Sequence, residues 1–188
     1  MAEAVLPRLP AALRKSTQAT LAAMADLRRL APRHPPRRRW KVGPPLAAGR
    51  LLGLYRQAQR RFHVAWHVLA AVNFVESGFN KLRNDSIAGA KGPMQFLPAT
   101  WRTYGLGGDV HDPHDAILGA ANYLRAAGAP ASYRRALYAY NASQLYVDAV
   151  LRYARRMHSS LSAFLSYYSW SVFVRTPAGN LRRLTGPR

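Results

Sequence analysis

From Leu46 onward, apolar positions recur at three- and four-residue intervals, and each periodic stretch carries its own start and stop signals. LAAGRLLGLYRQAQRRF, residues 46–62, reads as one helix. AWHVLAAVNFVE follows, with Ala65, Val68, Leu69, Val72 and Val75 on one apolar stripe. Ser77-Gly78 ends it, because glycine enters the left-handed region with least strain. Pro98 opens a short helix, PATWRTY, that Gly105 closes. Asp112-Pro113-His114-Asp115 places an N-cap, a first-turn proline and a second acid at the positive end of DAILGAANYLRAA, which stops at Gly128. Ser132 caps YRRALYAY, and Ser143 caps QLYVDAVLRYARRMHSSL. Period-two alternation is hard to find before SWSVFVRTPAGNLRRLT, where Ala178-Gly179-Asn180 is expected to turn a small hairpin. The pattern predicts a mainly α domain over residues 46–160, followed by a C-terminal extension, 161–188, and shows no internal repeat.

Residues 1–45 follow a different rule. ATLAAMADLRRL suits a short amphipathic helix, but APRHPPRRRWKVGPP combines five prolines with a basic run, which disfavours regular structure. The segment reads as a basic Pro/Arg-rich arm and linker.

Composition narrows the classes. With 188 residues and 49% apolar content the chain can bury a core, which excludes wholesale disorder. A net charge of +20 favours anionic partners, although abundant Arg, Ala and Pro together also fit GC-rich coding, which discounts the charge. The charge is densest early: the first 60 residues carry 13 basic and 2 acidic side chains. The absence of Cys excludes disulfides, thiolate metal sites and a Cys nucleophile. No run approaches the roughly 18 apolar residues of a spanning helix, and no secretory leader is recognisable at the N-terminus.

Against that background Glu76 is out of place. It follows Val72 by one turn, beside the buried stripe, at the negative end of its helix dipole. Both influences favour the protonated form, which is poor for stability and useful for a general acid. The bland alternative is a surface carboxylate paired with Arg83. The chain holds two glutamates, and the other is Glu3.

Four landmarks recur in order: E-S-G-F-N at 76–80, S-I-A-G-A-K-G-P-M-Q-F-L-P-A-T at 86–100, D-P-H-D-A-I-L-G-A-A-N-Y-L at 112–124, and A-L-Y-A-Y-N-A-S at 136–143. The chain over residues 50–158 resembles the soluble lytic transglycosylases (SLT domain) of the goose-type lysozyme-like superfamily. The resemblance implies a lysozyme-like helical domain with a catalytic cleft that acts on the glycan strands of peptidoglycan, with no cofactor and no metal. Glu76 would protonate the oxygen bridging N-acetylmuramic acid to N-acetylglucosamine, and then deprotonate the muramyl C6 hydroxyl to close a 1,6-anhydro ring. By the same match Ser86 would bind the acetamido group, Gln95 would line the cleft, Tyr140 would stand near the reacting centre and Asn141 would follow it. Ser77 and Met94 belong to the motifs as well, with helix termination and core packing as their plain alternatives.

The interval from Glu76 to Ser86 is one residue longer than the family's, and A-Y-N-A-S replaces A-Y-N-A-G. A second carboxylate would permit hydrolysis; among the aspartates of the domain, Asp85 is the best placed, while Asp112 and Asp115 have capping roles. His111, Asp112, His114 and Asp115 lie close in sequence, yet capping explains the acids without a metal. Three classes stay open: a peptidoglycan-cleaving enzyme whose basic surface also attracts anionic cell-wall polymers, a non-catalytic glycan-binding module, and an arm that binds phosphates. No nucleic-acid recognition motif supports the last. The expected location, the cell envelope or beyond, follows from the substrate alone.

Overall fold

The computed structural model describes residues 6–31, 39–176 and 180–185. A single 3-10 turn, Leu6–Arg8, precedes eight helices: α1 Ala11–Leu30, α2 Ala48–Phe62, α3 Trp66–Ser77, α4 Pro98–Tyr104, α5 Pro113–Ala126, α6 Tyr133–Tyr140, α7 Gln144–Ser159 and α8 Leu161–Ser169. Two short strands, β1 Phe173–Arg175 and β2 Leu181–Arg183, pair antiparallel with Val174 opposite Arg182. That is the hairpin expected at the C-terminal end; Ala178 and Gly179 of its turn lie outside the described residues.

The caps read from the sequence are made. Asp112 accepts from the backbone N–H of His114 and Asp115, Ser132 from Arg135, and Ser143 from Tyr146. Pro98 opens α4 and Gly105 follows its end. Each cap satisfies a donor that the helix cannot, worth about 1 kcal/mol.

Helix α3 is the axis of the molecule, packing against α2, α5, α7 and α8. Six consecutive residues, Val68 to Asn73, are buried, so the helix is enclosed on every side and not only along its predicted stripe. Ala70 and Ala71 supply the small side chains that let neighbours approach. Truncating the fully buried Leu69 to Ala would cost about 2–5 kcal/mol.

The two terminal segments join this core. α1 is a 20-residue helix, longer than the short one expected, and it lies along α7 as a docked element of the bundle. Ala23 is fully buried, Thr20 Oγ1 meets Tyr167 Oη at 2.7 Å, and Asp26 forms an ion pair with Arg152. α8 has no counterpart in the sequence reading. Ser160 caps it one residue after α7 ends, and its Phe164 and Tyr167 enter the same hydrophobic cluster.

Candidate active site

Glu76 is the penultimate residue of α3. The backbone then makes three successive left-handed steps, at Gly78 (φ 59°), Phe79 (φ 63°) and Asn80 (φ 66°). The last two lack glycine's freedom, and such positions persist only when their surroundings hold them. Here they do: Asn80 N–H donates to Ser77 Oγ at 2.9 Å, Leu82 N–H to Ser77 O at 3.0 Å, and Phe79 is wholly buried among Phe74, Phe164 and Tyr168. Lys81, also buried, donates to the carbonyls of Tyr168 and Trp170. The turn that carries Glu76 is therefore rigidly anchored.

A polar ladder on the buried side of α3 ties that helix to the G-P-M-Q loop. Asn73, 1% exposed, receives the Tyr55 hydroxyl at 2.6 Å and donates to Pro93 O at 2.8 Å. Ser77 donates to the same carbonyl at 2.6 Å. From the other side, Tyr140 Oη donates to Met94 O at 2.7 Å. Three side chains on two helices thus clamp adjacent carbonyls of one loop.

Gly92 makes that clamp possible. It sits at φ 72° with the position of a Cβ 1.8 Å from Val110 O, so any side chain would collide with backbone. Gly92 therefore shapes the loop. Gln95, at φ 51°, folds its Nε2 back onto Gly92 O at 2.9 Å.

The Glu76 carboxyl accepts a hydrogen bond from Tyr146 Oη at 2.6 Å. The residue keeps part of its surface open, yet protein encloses the carboxyl densely enough for burial to push it from an ordinary 4.5 up to about 7, with the Tyr146 bond pulling part of the way back. The phenols of Tyr146 and Tyr140 are themselves pushed up, by burial first and by the nearby Glu76 charge second. Arg83 bonds instead to Pro44 O and Asn80 O, so the surface ion pair considered for Glu76 is not formed.

The expected site residues separate into three sets. Glu76 and Tyr140 share one electrostatic neighbourhood, and Gln95 sits on the loop clamped against it. Ser77 and Met94, 2% and 0% exposed, correct the expectation that they face a ligand: one pins the loop from behind and the other fills the core. Ser86 and Asn141 are held by local backbone bonds of their own turns. Ser86 Oγ accepts Ala90 N–H at 2.9 Å inside its own turn, which leaves the O–H as a donor, and Asn141 caps the end of α6 in an exposed position.

Two contributors were not foreseen as such. In the sequence Tyr146 reads as a core aromatic on an apolar helix face, and Asn73 is surrounded by apolar neighbours. The available signal was the pair of polar residues Asn73 and Ser77, four apart on an otherwise greasy helix, which must find partners when buried.

Outward from the acid, Tyr140 packs 5.4 Å from Tyr123, which stacks 4.7 Å from Tyr104. A cavity of about 490 Å³ borders the motifs at Asn80, Gly92 and Pro93, although Glu76 does not line it. A larger one, about 670 Å³, lies around His67 and His158 at the opposite end of α3 and shares no residue with the motifs. Ligand atoms of Asp112, His114 and Asp115 fall within 4.8 Å of one another, with Asp112 already accepting the cap N–H groups of His114 and Asp115, and Asp115 accepting the N–H of Asp109 and facing His114 Nδ1. Asp85 is exposed. No helix is long and apolar enough to cross a membrane among the described residues.

No curated protein and no solved structure gives a significant match to the chain. A family model described as the transglycosylase SLT domain matches residues 53–161, more than half of the chain, from the second turn of α2 to the start of α8. Glu76, Gln95 and Tyr140 all fall inside that span. With its helical architecture, its anchored glutamate and this match together, the chain belongs to the transglycosylase SLT domain family.

Proposed function

We propose that the protein is a lytic transglycosylase that cleaves the β-1,4 bond between N-acetylmuramic acid and N-acetylglucosamine, with Glu76 as both acid and base. The family supports peptidoglycan as the substrate class. The observation that carries the finer reading is the state of the Glu76 carboxyl, which burial raises to about 7 and whose hydrogen-bond partner is a phenol.

A carboxyl poised near 7 is populated in both protonation states at neutral pH, which suits a group that must give a proton and then take one. Protonated Glu76 would donate to the bridging oxygen as the bond to the muramyl anomeric carbon breaks. The muramyl acetamido oxygen would cover that carbon as an oxazolinium ring. The ionised Glu76 would then remove the C6 hydroxyl proton while O6 attacks C1 and the ring reopens, leaving a 1,6-anhydro end and consuming no water. Tyr146 would stabilise the carboxylate between the two transfers. Gln95, Tyr140, Ser86 and Asn141 offer neutral donors and acceptors to sugar hydroxyls and amides without competing for the proton. Half-buried Tyr123 and Tyr104 extend an aromatic wall on which pyranose faces can stack.

Mass spectrometry of digested peptidoglycan tests this directly. Anhydromuramyl termini are expected, lighter by one water, about 18 Da, than hydrolytic products. Reducing muramyl termini would instead assign hydrolysis, and intact strands bound without turnover would assign a binding module. An envelope location and binding of anionic wall polymers by the basic surface accompany this proposal.

A further inference from the structure

Helix α7 presents two arginines, one turn apart, to the N-terminal helix. Arg152 pairs with Asp26. Arg156 has no such partner among the described residues: it lines a half-open pocket of about 220 Å³ between α1, α7 and α8, together with Ser16, Thr17, Thr20, Ser166, Tyr167 and Trp170. The two helices run antiparallel, since residue 26 of α1 meets residue 152 of α7 while residues 16–20 of α1 share a cavity with residue 156. Where α1 offers an acid to the first arginine, it offers only hydroxyls to the second.

Arg156 is half-exposed, but its Nε is buried and has no hydrogen-bond partner among the described residues, and its Nη1 makes one long contact, 3.4 Å, to Ser159 Oγ at the surface. A buried charged donor without an acceptor is among the more costly features a fold can keep. Thr20 is committed to Tyr167 and Ser16 to Leu13 O, whereas the Thr17 and Ser166 hydroxyls make no protein hydrogen bond among the described residues. No carboxylate of the described residues lines the cavity. It is therefore a half-open pocket with one cation, spare hydroxyl donors from two different helices and, among the described residues, no acceptor matched to the charge.

We infer that this cavity is a binding site for a phosphate-type oxyanion, free or as a phosphate ester, which supplies the counter-charge for Arg156. The guanidinium fork matches two oxygens of such an anion, and hydroxyls converging from α1 and α8 reach the others, as a tetrahedral group requires. The volume accommodates one phosphate with room for water, each water taking roughly 30 Å³. Because the wall is made jointly by α1, α7 and α8, the bound anion fastens the N-terminal helix to the body of the protein. The site shares no residue with the Glu76 region and does not depend on the reaction assigned there.

The test uses the full chain labelled with 15N, titrated with inorganic phosphate and separately with glycerol phosphate, each against sodium chloride at matched ionic strength. Saturable shifts at the amides of Thr17, Thr20 and Ser166 are expected. Arg156→Gln should weaken binding roughly tenfold or more, while Arg155→Gln, the same charge change at the exposed neighbouring position, should leave it as in the wild type. If Arg156→Gln does not fold, Thr17→Val, which keeps the guanidinium, decides the matter by weakening saturable binding. Preference for glycerol phosphate marks the phosphate end of a larger molecule, and preference for the inorganic ion marks a free ligand. The proposal is overturned if no saturable shift appears, or if Arg155→Gln and Arg156→Gln weaken binding equally, which would be diffuse attraction to a chain of charge +20.

Discussion

The two ends of α3 pose the same electrostatic problem and solve it differently. At its C-terminal end the helix dipole disfavours a carboxylate, at its N-terminal end it disfavours an imidazolium, and burial opposes both charges. Burial above all pushes Glu76 up to about 7 and His67 down to about 4. The difference is the partner. Glu76 has a phenol that can donate to it when ionised. His67 has a buried Nδ1 without a partner among the described residues and the ring of His158 at 4.5 Å, which adds repulsion to burial. An interior acid that must change charge during a cycle needs a neighbour that stabilises the charged state without fixing it; a group without one stays neutral.

The hardest blow to this contrast is Glu76→Gln. Glycan-strand turnover should fall at least about a thousandfold, as loss of an essential acid and base requires, while circular dichroism shows an intact fold. Residual turnover within tenfold of wild type would end the assignment.

Tyr146→Phe should come next, lowering kcat/KM by roughly ten- to a hundredfold. Its decisive readout is the pH profile. The acid step needs protonated Glu76, so wild-type kcat/KM should fall as pH rises through about 7. Because the Tyr146 bond lowers the Glu76 pKa, its loss should move that falling limb to higher pH. An unmoved limb would reduce Tyr146 to a packing residue.

A stability measurement sharpens the comparison further. The folded pKa of Glu76 lies above its unfolded value, so the native state binds more protons between about 4.5 and 7 and loses stability as pH rises through that window. Glu76→Gln should therefore match the wild type in urea titrations near pH 4 and exceed it at pH 8, by at most about 3 kcal/mol and by less to the extent that solvent reaches the carboxyl. Equal stability at both pH values would contradict the burial argument.

The smallest effect belongs to the other end of the helix. His158→Gln removes the repulsive neighbour and leaves the burial, so the His67 titration midpoint, followed by NMR, should rise above about 4 and stay below the ordinary 6.5.

How far the chain announces all this depends on the distance over which each feature is determined. Asp112, Ser132 and Ser143 were legible as caps, and Gly78 as a terminator, because these are settled within four residues. Glu76 was legible because a carboxylate at the edge of an apolar stripe violates a local rule. The docking of α1 was not, since its dock is the face of α7, built from residues far along the chain. α8 escaped notice because its cap, Ser160, follows α7 without any break in pattern. Tyr146 hid for a related reason: on the apolar face of α7 a tyrosine reads as core, and only the folded structure aims its hydroxyl at an acid 70 residues earlier. Motif matching placed Ser77 and Met94 at the site, where burial gives them the work of holding the loop and filling the core.

The pairing of Asp26 with Arg152 spans 126 residues. A ribosome adding about 5–20 residues per second would release the first helix on the order of ten seconds before its seat exists. Throughout that interval the nascent segment remains a solitary cationic amphiphile, and the finished bundle closes only when the last third of the polypeptide arrives to claim it.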